Sequence, residues 1–499
     1  MTPSAAPRSL SWTSLFVLTL LAAFTEASIL FPDAMLPTTR FAAALTWDSS
    51  KHGYPGPETP AGEPATPEAM TPAPAPPTPA PAAPAVRRGD ARPVTGRVLD
   101  GSNGSPLRGA SVWAGPTEIV TGADGRFTTE PVDPGTTVWV KTPGYERRRL
   151  VAGEAADVTV KLAPHPIRAA YLTYYGVADR GIRQRVLDLV ERTELNAVVI
   201  DIKGDRGLIP YRTAVPAAVE SGALGPVNIK DFDEQLAAWK ARGIYTIARI
   251  VAFKDNVRAH ARPDLAVIDA RTGKPWIDRE NLAWLDPFRE ENWDYIIAVS
   301  KEAALKGFDE IQFDYVRFPT DGKLSAARYA QPNSAATRLP AIASFLAKAR
   351  RELGPTGAFL AADIFGYTAF NTNDTDIGQR IEEVSVSLDY ICPMVYPSGY
   401  HLGIPGVRNP VLNPYEIVKE SVRLTRQRSQ NPAAQIRPWL QDFKDYAFDK
   451  RIFGPVEVRA QIRGSDDGGG SGWMLWNPKN DYTAAALRPK TSAISKSSQ

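Results

Sequence analysis

A carboxylate, a phenol and a guanidinium stand within four positions at the end of one apolar run. They are Asp314, Tyr315 and Arg317 in Phe308-Asp-Glu-Ile-Gln-Phe-Asp-Tyr-Val-Arg-Phe-Pro319. Such a set can give or take a proton, supply a nucleophile, or hold an anion. The same residue types also make a purely structural ion pair, with Arg317 satisfying a buried Asp314, so this stretch alone leaves both readings open. A second acid, Asp363, lies in Ala362-Asp-Ile-Phe-Gly366.

Which reading holds depends on the elements that carry these groups. Phe308, Ile311, Phe313 and Val316 leave little continuous polar face and Pro319 stops the run, which predicts a buried strand emerging into a loop. From Ile167 the pattern alternates strand and helix. Strands are expected over Ile167–Tyr175, Ala197–Lys203, Tyr245–Phe253, Phe308–Phe318, Ala358–Phe365, Tyr390–Tyr396, Ile436–Gln441 and Gly472–Trp476. Helical periodicities lie between them, with glycine stops at Gly243, Gly307 and Gly354. Eight βα units predict the α/β class, a TIM (β/α)8 barrel over residues 165–483. A doubly wound open sheet is disfavoured, because no Gly-rich dinucleotide fingerprint follows any strand.

In such a barrel the chemistry sits at the C-terminal ends of the strands. Polar or aromatic residues recur there: Asp201, Lys203 and Asp205; Arg249 and Lys254; Asp314, Tyr315 and Arg317; Asp363; Tyr396; Gln441 and Asp442; Trp473, Trp476 and Asn477. Burying each unpaired charge would cost several kcal/mol, so their convergence on one mouth predicts a functional site.

The remaining chain sets the context. Across 499 residues, 43% apolar and 23% charged content is ordinary for globular domains, and a net charge of +3 predicts no nucleic-acid partner. The single Cys392 rules out an intramolecular disulfide. The four histidines fall in no metal-ligand spacing, so neither metal nor other cofactor is expected. Arg8 and the short apolar run Leu15 to Phe24 predict a signal peptide or an uncleaved N-terminal anchor over residues 1–27. The protein is therefore expected to be exported, whether periplasmic, membrane-tethered or extracellular. Residues 28–91 are Pro/Ala-rich and are expected to be a disordered linker acting as an extended spacer. Residues 92–164 alternate in short runs separated by Asp100-Gly, Asn103-Gly, Asp124-Gly and Pro143-Gly turns, predicting a small all-β sandwich of about seven strands. Residues 484–499 are expected to be a disordered tail. Oligomeric state is not legible.

Two resemblances follow. Gly96-Arg-Val-Leu-Asp100, Pro106-Leu-Arg-Gly-Ala110, Thr121-Gly-Ala-Asp-Gly125 and Pro143-Gly-Tyr145 resemble the carboxypeptidase regulatory-like, transthyretin-like domain, which implies an accessory module, either a folded spacer or a glycan- or protein-binding unit. Further on, Asn196 to Lys203, Gly243 to Ile250, Leu282 to Asp286, Phe308 to Pro319, Ala362 to Gly366, Ile391 to Pro397, Arg437 to Phe443 and Trp473 to Asn477 together resemble the bacterial family of putative glycosyl hydrolase TIM-barrel domains. Cys392 stands where that family's pattern would have serine, a near-isosteric change.

The second resemblance implies glycoside hydrolysis by two carboxylates on a polysaccharide or oligosaccharide. Asp314 and Asp363, on adjacent strands, are the expected pair. Asp314 would be the nucleophile, kept ionised by Arg317 or Arg249, and Asp363 the acid, although the roles can be exchanged. Asp201 and Asp442 are the reserves, while Asp205 and Asp286 would fix loops. Trp473, Trp476, Tyr315, Tyr396 and Trp284 would offer faces to sugar rings. Lys203, Arg249, Gln441 and Asn477 would bind hydroxyls or an acidic sugar, which hints at an anionic glycan. Two alternatives stay open: a catalytically silent polysaccharide-binding barrel, and a metal-dependent enzyme with Mg²⁺ or Ca²⁺ on Asp201, Asp205 and Asp314.

Overall fold

A computed structural model describes residues 91–153 and 157–490. The expected signal or anchor, nearly all of the linker and the last nine residues of the expected tail lie outside the described residues. Among the described residues no helix is long and apolar enough to cross a membrane.

The β-branched, period-two runs near the start form seven strands in two sheets. One is Arg126–Thr128, Thr95–Asp100 and Asp157–Leu162, and the other Thr117–Val120, Ser111–Ala114, Thr137–Lys141 and Arg148–Val151. Val98, Val112, Phe127, Val140 and Leu162 fill the space between them.

From Ile167 the strands Ile167–Leu172, Ala197–Lys203, Tyr245–Val251, Glu310–Asp314, Phe359–Phe365 and Tyr390–Met394 run parallel, each beside the next. The seventh is split into Gln435–Ile436 and Trp439–Gln441, because Pro438 has no N–H to give the ladder. The eighth, Gly472–Trp476, pairs with both the seventh and the first and closes the barrel. Helices such as Arg180–Arg192, Glu290–Lys306, Ala335–Leu353 and Pro414–Arg428 pack outside it.

The strands are buried on both faces, so their alternation separates two apolar layers rather than core from solvent. Ala169, Val199, Ala361, Cys392 and Met474 point into the barrel. Ala170, Val198, Leu360, Trp473 and Leu475 point outward beneath the helices. At the N-terminal end the interior is closed by Arg437, which is paired bidentately with Glu310, itself bonded at 3.0 Å by Tyr245.

The sandwich rests on that same end. Lys141 Nζ donates to Asp389 at 2.9 Å and to the Ala358 carbonyl at 2.5 Å, Gly144 N–H donates to Tyr390 Oη at 2.8 Å, Arg147 pairs with Asp309 at 3.0 Å, and Arg350 pairs with Glu118. The indoles of Trp113 and Trp139 occupy the space where a Cβ at Gly354 and at Gly357 would stand.

The chain does not leave the folded body at 484. Ala484–Ala486 forms a 3-10 turn, Ala486 and Leu487 are buried, and Arg488 and Lys490 donate backbone N–H to Glu194 and to the Arg192 carbonyl. The tail expected from 484 therefore packs against the barrel through residue 490.

Candidate active site

The register of the barrel determines which side chains meet. Arg249 and Asp201 are cross-strand partners, and Phe313 pairs with Ala362, so Asp314 and Asp363 follow as the next rung on their neighbouring strands. All four share the inward parity. Each lies within two residues of the C-terminal end of its strand, in the last inward-facing layer at the mouth.

Arg249 is the hub. Its Nη1 donates to Asp201 Oδ1 at 2.5 Å, and its Nε and Nη2 both donate to Asp314 Oδ2, the former at 3.1 Å. Its Nε also lies 4.0 Å from Asp363 Oδ2. Tyr171 Oη donates to the other oxygen of Asp201 at 2.5 Å, and its ring stacks on Trp476 with centroids 4.1 Å apart. The guanidinium faces both rings, 5.6 Å from Tyr171 and 5.2 Å from Trp476.

The two central acids have opposite surroundings. Asp314 is surrounded by donors, since Oδ2 takes the two bonds from Arg249 and Oδ1 accepts the Tyr315 N–H at 2.6 Å. Tyr315 holds the left-handed region at φ 49°, an unfavourable place for an aromatic residue and a mark of local strain. Asp363 accepts only the Trp439 indole N–H, at 2.7 Å on Oδ1, and its Oδ2 has no hydrogen-bond partner. Burial, and then the negative charge of Asp314, push the Asp363 carboxyl well above the usual range, while Arg249 and Trp439 pull the other way. Burial also raises Asp201, against the opposing pull of Arg249 and Tyr171. Tyr396 stands close to both acids, and its phenol is pushed well up by burial, then by Asp363 and Asp314.

Relative exposure separates the floor from the rim. Asp201, Arg249, Asp314 and Asp363 retain 5, 5, 6 and 1%. Tyr315, Met394, Tyr396 and Trp476 are half-buried and form the rim.

Several residues expected in the site are elsewhere. Lys203 is wholly buried, with Nζ 2.8 Å from Asp255 and 2.6 Å from the Val251 carbonyl, because the bulge between strands two and three turns it away from the mouth. Arg317 makes no bond to Asp314. It donates to the Phe318 carbonyl and Thr320 and lies against Trp284, Tyr315 and Phe365, so the arginine paired with Asp314 is Arg249 instead. Gln441 is spent on Ser398 and the Phe443 carbonyl. Asp442 accepts two bonds from Thr483, and Asn477 donates to the Asp442 and Asp481 carbonyls, so both tie down the C-terminal segment. Trp473 has the outward parity and is core. Trp284 is also core, its indole N–H bonded to Asp278 at 3.0 Å.

Tyr171 belongs to the site although sequence reasoning did not single it out, and Trp439, read there only as part of the strand-seven stretch Trp439 to Asp442, is the donor to Asp363. Strand parity was the available signal: Tyr171 follows inward Ala169, and Trp439 follows inward Arg437. Among the described residues no group of three or more His, Cys, Asp and Glu side chains could hold a metal ion. Between Asp201 and Asp314, where a cation would have to sit, the Arg249 guanidinium is already in place.

The model of a family described as "Putative glycosyl hydrolase domain" (DUF4015) matches residues 169–482. Among solved structures, the chain is similar to a hypothetical protein from Ruminiclostridium thermocellum ATCC 27405, with 39% identity over 39% of this chain and 96% of that one, at a TM-score of 0.35. It is also similar to the PgaB (BpsB) glycoside hydrolase domain from Bordetella bronchiseptica, with 16% identity over 63% and 95% of the two chains, at a TM-score of 0.45. No curated protein matches.

Proposed function

The chain belongs to the DUF4015 family of glycosyl hydrolase-like domains, and on that premise we propose that it hydrolyses glycosidic bonds of a bacterial surface or extracellular polysaccharide, outside the cytoplasm, with Asp363 as acid and Asp314 as nucleophile or base. The observation that carries this reading is the pair itself. Two carboxyls on adjacent strands lie beside one guanidinium, one surrounded by donors and the other pushed towards its protonated form. Environments that separate two acids in this way divide the labour of glycoside hydrolysis.

In the first step the Asp363 proton passes to the glycosidic oxygen as the bond from that oxygen to the anomeric carbon breaks. Asp314 then either bonds to the anomeric carbon or takes a proton from the water that attacks it. In the first case water later releases the sugar and returns a proton to Asp363. Both Oδ2 atoms lie within 4.0 Å of Arg249 Nε. The two distances, 3.1 and 4.0 Å, cap the separation of these oxygens at about 7 Å, which admits a retaining pair, ~5–5.5 Å, and the short end of the inverting range, ~6.5–9.5 Å, so anomeric configuration must be read from the product. Tyr396 and the free face of Trp476 would receive the sugar ring.

The test is reducing-end release from bacterial exopolysaccharides and cell-wall glycans by the protein, Asp314→Asn and Asp363→Asn. Both variants are expected to lose orders of magnitude on polysaccharide. Asp363→Asn alone should regain rate on aryl glycosides, whose leaving groups need no proton. Binding of one polymer by all three proteins, with no release, would establish a silent barrel instead.

A further inference from the structure

The cations at the mouth are already matched. Arg249 is held by Asp201 and Asp314, Lys254 by Asp278 at 3.1 Å and Glu280 at 2.7 Å, and Arg317 lies between aromatic faces. The acids Asp201, Asp205, Asp278, Glu280 and Asp314 stand around these three cations, with Arg206 and Arg279 exposed next to Asp205 and Glu280 in the chain. These three cations are therefore spent on the chain's own groups rather than open to an acidic sugar.

Two of the carboxylates have unused capacity. Asp205, just past the second strand, is partly exposed, and among the described residues its side chain takes part in no hydrogen bond or ion pair. The Glu280 side chain is only 9% exposed, yet its Oε1 has no hydrogen-bond partner, Oε2 being engaged by Lys254. Lys254 lies over the Tyr315 ring at 5.1 Å, which places this group beside the residue that follows Asp314. The two acids share a neighbourhood: the charge of Asp205 acts on Glu280, Asp201, Lys254 and Tyr315 alike.

We propose that Asp205 and Glu280 form a subsite for an ammonium group, so that the sugar bound beside Asp314 carries a free amine. An ammonium supplies the donors that Glu280 Oε1 and Asp205 lack and makes those bonds charge-assisted, which neither a hydroxyl nor an N-acetyl group does. The inference rests on the glycosidase reading insofar as it takes the ligand to be a sugar, and it reverses the anionic glycan hinted at by Lys203 and Arg249.

The experiment is calorimetric titration of the full chain carrying Asp314→Asn with equal-length oligomers of glucosamine, N-acetylglucosamine and galacturonic acid, at a slightly acidic pH where the amines are charged. The glucosamine oligomer is expected to bind about tenfold more tightly than the others, an advantage that shrinks with salt and disappears when Asp205→Asn or Glu280→Gln is added. Asp205→Asn, on a partly exposed loop, is the change least able to disturb folding. Equal or tighter binding of the acetylated or acidic oligomer, a preference that survives both substitutions, or no binding of any oligomer overturns the proposal. Cleavage of neutral polymers by the wild type without amine preference sinks this inference and leaves the glycosidase reading standing. Amine-selective binding through Asp205 with no reducing ends released does the reverse.

Discussion

Replacing Arg249 by leucine removes the one cation shared by Asp201 and Asp314 and leaves two carboxylates at 5 and 6% exposure without it. Breaking a buried ion pair by deleting one partner costs roughly 3–5 kcal/mol. The cost of each orphaned acid has a ceiling, since it can take up a proton instead. At neutral pH that costs about 1.4 kcal/mol per pH unit above its ordinary pKa, or about 4 kcal/mol for a carboxyl. The Arg249→Leu substitution is therefore expected to lower stability by roughly 3–8 kcal/mol at pH ~7. The sign of the pH dependence follows. The folded variant binds up to two more protons than the unfolded chain, so its stability falls as pH rises, by about 1.4 kcal/mol per pH unit for each proton. Towards pH ~4 the unfolded carboxyls are about half protonated, so the proton cost falls to roughly 0.5 kcal/mol per acid and the packing loss of about 1–2 kcal/mol makes up most of what remains. Urea unfolding of wild type and variant at both pH values measures this. Equal losses at the two values would refute the electrostatic account and make Arg249 a packing residue. Adding Asp201→Asn and Asp314→Asn should recover most of the loss.

Glu310→Gln, at the sealed end of the barrel, orphans Arg437 and should cost roughly 3–5 kcal/mol in urea unfolding without changing turnover of the folded fraction; a selective loss of kcat would contradict its structural role. Gly357→Val places a side chain where the Trp139 indole lies, at a backbone φ of 77°. It should cost at least ~1–3 kcal/mol and separate sandwich from barrel as a second unfolding transition, so an unchanged single transition would argue against the packed interface. Asp442, pushed up to about 6 chiefly by burial, contributes stability that is present below pH ~4 and lost as pH rises through about 6. Asp442→Asn should flatten that slope and gain up to ~3 kcal/mol at neutral pH, and a variant less stable than wild type above pH ~6 would show that the Thr483 bonds dominate.

The barrel was legible because its strands are short unbroken apolar runs separated by helical periodicity and glycine stops. Asp201, Arg249, Asp314 and Asp363 were legible because each ends such a run with the inward parity. Errors arose where a residue at or just past the strand end is claimed by a segment distant in sequence. Asp255 takes Lys203, Ser398 takes Gln441, and Thr483 takes Asp442. No local pattern announces those partners. Trp473 was a different error, since it lies one residue from inward Met474 and its parity alone assigns it to the outer layer. The cap on the barrel floor had a faint local signal in Gly354 and Gly357, which make room for two indoles, but nothing in the sequence pairs them with Trp113 and Trp139.

Strand four carries an internal comparison that bears on whether the acids at the mouth are functional. Glu310 and Asp314 lie on the same strand with the same inward parity, and each meets an arginine from another strand. At the Glu310 end the arginine is wholly enclosed, Tyr245 adds a further bond, and the sandwich covers the opening. Both Glu310 oxygens are engaged, and what is left over there is one arginine N–H, Arg437 Nε, rather than a carboxylate oxygen. At the Asp314 end a third carboxyl, Asp363, is brought beside the same guanidinium, its Oδ2 is left without a hydrogen-bond partner, and among the described residues no domain covers the rim. Packing alone would favour the closed arrangement at both ends, because each unmatched buried acid lowers stability. The barrel covers both carboxylate oxygens at its floor and leaves one open at its mouth, which is the arrangement the proposed ligand site requires.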